Sequence, residues 1–361
     1  MKSKTIYIPI FFIILLLILI ISTGLFSSAT TQIEDSKCNI KPESIAELTE
    51  IELGGMKQYL LIRGADQNNP ILLWLHGGPG AAQMPLAHHL DDDLEQEFVM
   101  VHWDQRGAGK SNHSGFDEQT MTFDQYMSDT HELISYLQQR FDQEKIFLLG
   151  HSWGTMLGIE YAEKYPEHLH AYISVSQVVD NHRGGRIGYE WLKNKIEQSE
   201  SRSDLRELKE LGKPPYTDHS DHVKFASLIG DYGGNFDISM TRLACIALCA
   251  PEYNLMDYYR WLNGANRGSG PMWDEVFAHH INYISHIPSL DVPIYFLVGE
   301  NDKNTPRELV EEYFAVIDTP HKQLVVFDSS AHTPFLAEPE KFGRVVTKIK
   351  KKVLEDEAAS Y

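Results

Sequence analysis

The sequence predicts an α/β chain: a doubly wound, mostly parallel sheet with an inserted helical cap, preceded by an N-terminal transmembrane helix. Three observations carry this. Short apolar runs alternate with amphipathic stretches over residues 45–180 and again over 288–361, the rhythm of strand–helix units. Between them, over 181–287, no buried strand is recognisable, and helical stretches, Gly-rich turns and aromatics replace the alternation. Ahead of both, Lys2 and Lys4 precede an uncharged, apolar stretch over residues 6–26.

About 20 apolar residues are enough to span a hydrocarbon core of about 30 Å. Positive charge before the stretch, with Glu34 and Asp35 after it, keeps the first residues in the cytoplasm. The expectation is a single-pass anchor in the cell membrane over residues 1–30, with the folded part outside. Ser27-Ser28-Ala29 leaves open a cleaved signal peptide and secretion. Residues 31–44 are polar and aperiodic and read as a tether. The first part of the core, 45–180, begins with strands at 48–53 and 58–63 around Gly54-Gly55. Strands at 71–75 and 98–103, a helix at 122–141, a strand at 146–149, a helix at 155–164 and a strand at 170–175 follow. The second part, 288–361, supplies strands at 292–298 and 323–327, each followed by a helix, at 307–317 and 338–353. The lysine run 348–352 reads as a solvated face at that last helix's C-terminus.

Composition narrows the function. The net charge of -19, from 51 acidic and 32 basic residues, disfavours nucleic acid and anionic membrane surfaces as partners. Three cysteines make no disulfide framework, and Cys245 and Cys249 read as small apolar residues on one helix face.

The chemistry begins at Gly150-His151-Ser152-Trp153-Gly154, between a strand and a helix. That placement marks a nucleophile elbow, a turn too tight for a Cβ two residues to either side of the serine. A serine hydroxyl becomes nucleophilic only when a histidine takes its proton and an acid fixes that histidine's tautomer. Both candidates follow the late strands, at the C-terminal ends where an open α/β sheet places its site. Ser152 is therefore read as nucleophile, His332 as base and then acid, and Asp302 as orienter, with Glu300 as its competitor. His76-Gly77-Gly78-Pro79-Gly80 follows another strand, and its glycines let a backbone N–H approach an oxyanion. Gly78, rather than Gly77, and Trp153, which follows the nucleophile, are the oxyanion-hole candidates. Asp218-His219-Ser220-Asp221-His222 has metal-like letters but reads as a polar loop, and the chemistry asks for no metal or cofactor.

His76-Gly77-Gly78-Pro79-Gly80, Asp104-Gln105-Arg106-Gly107-Ala108-Gly109-Lys110-Ser111 and Gly150-His151-Ser152-Trp153-Gly154-Thr155 together resemble the proline iminopeptidase branch of the α/β-hydrolase superfamily. Gly299, Asp302, His332 and Phe335-Leu336-Ala337-Glu338-Pro339-Glu340 agree with it. The resemblance implies a metal-free serine hydrolase with a helical cap, releasing an N-terminal residue, often proline, from short peptides. It also implies cap carboxylates that hold the substrate's free amine, one of them in a Trp-Glu pair. Here the cap offers Tyr189-Glu190-Trp191, in reverse order, and Trp273-Asp274-Glu275. Glu190, Asp274 and Glu275 are thus the substrate-binding candidates. Two other readings remain: a carboxylesterase or lactonase acting on small acyl substrates, and a non-catalytic binding module with this fold.

Overall fold

The computed structural model describes residues 27–359 apart from Asp92, Ser114, Phe116 and Ala278, and apart from the side chains of Ala265 and Asn266. Strands β1 (Ile45–Leu53), β2 (Met56–Gly64), β3 (Ile71–Leu75), β4 (Val99–Asp104), β5 (Ile146–His151), β6 (Leu169–Val175), β7 (Ile294–Gly299) and β8 (Lys322–Phe327) form one sheet. Their order is β1-β2-β4-β3-β5-β6-β7-β8. The β1–β2 and β2–β4 pairings are antiparallel and the remaining ones parallel, so the sheet is mixed. Leu53 pairs with Met56, which leaves Gly54-Gly55 as a two-residue hairpin loop. Both loop residues have positive φ, +52° and +70°, as a turn matched to the strand twist requires.

β3, β4, β5 and β7 are buried at every position because helices cover both faces, which is why they read as largely apolar runs rather than as alternating ones. Helices α1 (Phe123–Phe141) and α2 (Trp153–Lys164) close one face with Tyr126, Leu133, Met156 and Tyr161. Helices α3 (Asn181–Ser199), α4 (Arg202–Leu211), α5 (His219–Asp231), α6 (Met240–Ala247) and α7 (Leu255–Met272) form the helical insertion, and α7 runs into a π-helical turn at Trp273–Phe277. Tyr189, Leu192, Leu208, Phe225, Ile229 and Trp273 make a separate apolar core for this insertion. Helix α8 (Arg307–Val316) returns to the first face, and α9 (Pro339–Ala359) closes the second with Phe342, Val346, Ile349 and Val353.

Several expectations change. Among the described residues, no helix is long and apolar enough to cross a membrane. The transmembrane helix is therefore withdrawn from the fold class, and with it the single-pass membrane localisation and the membrane partner. The apolar stretch 6–26 that suggested them lies outside the described residues. Residues 31–44 are not a free tether. Ile33 is only 7% exposed, Lys41 N–H donates to Ile33 O at 3.0 Å, and Arg63 donates to Thr31 O at 2.6 Å. A single buried apolar residue held by backbone bonds leaves no periodicity to read. The last helix continues to Ala359, so the lysine run lies in its interior and not at its end. Cys245 and Cys249 are both exposed, and Cys249 lies beyond α6.

Candidate active site

β5 delivers Ser152 at the point where strand becomes helix. Its backbone has φ 52° and ψ −117°, a conformation costly for a residue with a Cβ. The neighbours hold it there. A Cβ on Gly150 would lie 2.4 Å from Gly154 O, and one on Gly154 would lie 2.2 Å from Leu75 O. Both obstacles are backbone, so both positions admit only glycine. Ser152 N–H donates to Val175 O at 3.0 Å, which ties the turn to β6.

The loops after β7 and β8 meet this serine. His332 Nε2 lies 2.9 Å from Ser152 Oγ, and His332 Nδ1 lies 2.9 Å from Asp302 Oδ2. Asp302 is fully buried. Its Oδ1 accepts the Asn304 and Thr305 N–H groups at 2.9 and 2.8 Å, and its Oδ2 accepts the Thr305 hydroxyl at 2.8 Å. Burial pushes this carboxyl up, but the His332 charge and hydrogen bond, with the Thr305 bonds, outweigh it and hold the group below the usual carboxylate range. An ionised Asp302 accepts from Nδ1–H, which leaves Nε2 as the acceptor for the serine hydroxyl. Glu300 is exposed and pairs with Arg307, away from His332. The helical insertion secures the histidine loop: His332 N–H donates to Asn235 O at 2.8 Å, and Asp237 accepts from Ala331 N–H at 2.5 Å and the Ser330 hydroxyl at 3.0 Å.

On the other side of Ser152 runs the glycine loop after β3. A Cβ on Gly77 would lie 3.0 Å from His151 Nδ1 and 3.3 Å from Ser152 Cβ, so the loop passes close to the serine. Gly78, with φ +112°, lines the cavity beside Ser152. Trp153 opens α2, so its N–H has no intrahelical acceptor. Gln105 ties the two segments together. Its N–H donates to His76 Nε2 at 3.2 Å, its side-chain amide donates to His76 O at 3.4 Å, and its Oε1 accepts Trp153 Nε1–H at 3.2 Å. Burial takes His76 down to about 4, which keeps the ring neutral and Nε2 free to accept. The sequence showed Gln105 only as one letter of a motif. Its two partners lie far away along the chain.

Two cavities open on Ser152. The first, about 140 Å³, is mostly apolar but also includes Asp180, His182, His219, His222 and Lys303. The second, about 370 Å³, is mostly apolar and includes His332. None of the three predicted substrate-binding acids lines either. Glu190 is exposed and pairs with Lys213 at 3.0 Å, and Asp274 and Glu275 are exposed. The reason is helical phase: each lies on the outer side of its helix while Tyr189 and Trp273 turn inward. A different carboxylate lines the first cavity. Asp180 is 2% exposed; its Oδ1 caps α3 through Arg183 N–H at 2.9 Å and meets His280 at 3.2 Å. Its Oδ2 has no hydrogen-bond partner among the described residues. Along the chain nothing distinguishes Asp180 from the many aspartates that cap helices.

The metal-like run behaves as a helix start, with Asp218 Oδ1 accepting Ser220 N–H at 2.8 Å. Among the described residues no group of three or more His, Cys, Asp or Glu side chains is arranged to hold a metal ion.

The fold recurs in known proteins. Residues 70–339 match the model of the alpha/beta hydrolase fold family. A probable aminopeptidase of Bacillus subtilis (strain 168), YbaC, is 32% identical over 310 residues, covering 85% of this chain and 96% of that protein. A proline iminopeptidase of Heyndrickxia coagulans is 23% identical over 286 residues, covering 77% and 88%. The crystal structure of a proline iminopeptidase from Mycobacterium smegmatis superposes with a TM-score of 0.58 at 20% identity, covering 87% and 100%, a likeness of fold. The chain belongs to the alpha/beta hydrolase fold family and is a hydrolase.

Proposed function

We propose that this hydrolase is a serine aminopeptidase that releases an N-terminal residue, proline among them, from short peptides through an acyl-enzyme. The observation that carries the reading is the relay Asp302–His332–Ser152, with contacts of 2.9 Å at both steps. The names of the YbaC and Heyndrickxia coagulans proteins support the aminopeptidase class.

The chemistry follows from the geometry. Ser152 Oγ attacks the carbonyl carbon as His332 Nε2 takes its proton. Negative charge moves to the carbonyl oxygen, where the N–H groups of Gly78 and Trp153 receive it. The tetrahedral species collapses, His332 returns the proton to the leaving nitrogen, and the amine departs. A water then attacks the acyl-enzyme by the same proton path and frees Ser152. His332 lines only the larger cavity, so the leaving group must lie there, where the proton is delivered. The acyl residue then occupies the smaller cavity. Its 140 Å³ is well below the roughly 300–1,000 Å³ of pockets that enclose drug-sized ligands, which suits a single residue such as proline. Asp180 Oδ2, buried there and unpartnered among the described residues, suits the free ammonium group.

The test is a panel of prolyl and other aminoacyl arylamides, free or N-acetylated, beside short acyl esters. Turnover of the free-amine arylamides, lost on acetylation, is expected. Turnover of esters with none of the arylamides would assign the chain to the esterases instead.

A further inference from the structure

The larger cavity states what kind of leaving group it takes. Its wall is mostly apolar, with Leu86, Phe236, Met240, Leu243, Leu262 and Leu336; its remaining polar side chains are uncharged amides and hydroxyls besides the histidines, and no Lys, Arg, Asp or Glu among the described residues lines it. Of its two histidines, His332 is held in the relay, and His151 is driven down to about 3 by burial and by His332, so it carries no charge. At its mouth three large apolar side chains lie open: Phe236 is 44% exposed, Met240 64% and Leu262 67%. Uncovered side chains of that size around an enclosed apolar space mark a surface that an apolar ligand completes.

We propose that this cavity is a leaving-group subsite for an uncharged apolar group, and that it rejects a free carboxylate next to the scissile bond. The proposal rests on the aminopeptidase reading for the identity of the acyl half. The leaving group is placed in this cavity by His332 alone. A dipeptide substrate would bring its terminal carboxylate into an apolar space with no cation to pair it, and an unpaired buried charge is costly. A C-terminally amidated or longer peptide with an apolar second residue has no such charge there. The protein is thereby directed towards apolar peptide amides, longer peptides or arylamides rather than dipeptides.

Steady-state kinetics on the full-length chain tests this with Pro-Phe-NH2, Pro-Gly-NH2 and Pro-Phe bearing a free carboxylate. kcat/KM is expected to fall about tenfold or more from the first to the second, because the buried ring is lost, and by a similar factor from the first to the third. Met240→Lys and Leu262→Lys, both at exposed positions, should raise the free-carboxylate substrate relative to the amide by about tenfold. Equal rates across the three substrates, or unchanged ratios in both variants, would overturn the proposal while the aminopeptidase reading stood. If no prolyl substrate is turned over, that reading fails, and benzyl acetate against its para-carboxylate analogue makes the same comparison. Preference for the uncharged ester would uphold the subsite, and no preference would overturn it. A change in sedimentation, with selectivity unaltered, would assign Met240 and Leu262 to a contact between copies and overturn it too.

Discussion

Asp302→Asn changes one atom and should disable the relay through a tautomer. Oδ1 of Asp302 accepts two backbone N–H groups, from Asn304 at 2.9 Å and Thr305 at 2.8 Å. Only an oxygen can accept there, so the asparagine carbonyl must take that place. Its NH2 then occupies the Oδ2 position, 2.9 Å from His332 Nδ1. An amide donor facing Nδ1 selects the tautomer protonated at Nε2, and that nitrogen can no longer take the Ser152 proton. The geometry survives while the base is lost. The same change in a well-characterised serine protease lowers kcat by about 10⁴, near 5.5 kcal/mol at 1.36 kcal/mol per tenfold. A loss of that order in kcat/KM is expected here, with the fold intact by circular dichroism. Glu300→Gln, which alters only a surface pair with Arg307, should stay within about twofold. A mild Asp302→Asn beside a severe Glu300→Gln would show that the orienting acid was misassigned.

Four further outcomes are expected. Gly154→Ala forces a Cβ to 2.2 Å from Leu75 O, 2.7 Å from Leu75 C and 2.8 Å from His76 O, all backbone; it should cost about 1–3 kcal/mol in urea unfolding and on the order of 10² in rate, and activity within threefold of wild type would contradict the elbow geometry. Asp180→Asn keeps the cap on α3 but removes a charge; it should lower kcat/KM for prolyl arylamides about 10²-fold and leave ester turnover unchanged, whereas equal losses on both would make Asp180 merely structural. Hydrolysis should fall on strong acidification, because a protonated relay cannot accept the serine proton and Asp302, held below the usual range, is neutralised only at low pH; a rate that stays flat down to the acid unfolding of the protein would contradict the mechanism. Finally, burial raises the Asp104 carboxyl to about 7 against the pull of the Tyr253 hydroxyl and Lys110 N–H. The folded state therefore keeps a proton that the unfolded chain releases. The associated stability is full below the unfolded value of 3.8 and is lost as pH rises through 7. Wild type should lose roughly 2 kcal/mol more than Asp104→Asn between pH 5 and pH 8, and parallel pH profiles would refute this.

What the sequence made legible was local. Ile71–Leu75 is the predicted strand to the residue, because a fully buried parallel strand is a bare apolar run between turn residues. The helix predicted at 122–141 starts one residue later, at Phe123, because Thr122 is its cap, accepting Gln125 N–H at 3.2 Å. Gly150 and Gly154 announced the turn because no other residue fits there. Asp302 and His332 were recognisable because the sheet's chain order puts strand ends side by side. Gln105 and Asp237 were not, because each acts across the fold on partners that no spacing reveals, and Asp180 was not, because along the chain it shows only a cap on the following helix. Glu190, Asp274 and Glu275 failed for the converse reason. A family-like pair of letters fixes neither the helical phase nor the face turned to the cavity.

Treating the full-length chain with a fluorophosphonate and mapping the adduct by peptide mass spectrometry reads the relay at its reactive atom. A single adduct on Ser152, absent in Ser152→Ala and formed far more slowly in Asp302→Asn, is expected. A hydrolytically active protein that stays unlabelled, or carries its adduct on another residue, would mean that Ser152 is not the nucleophile.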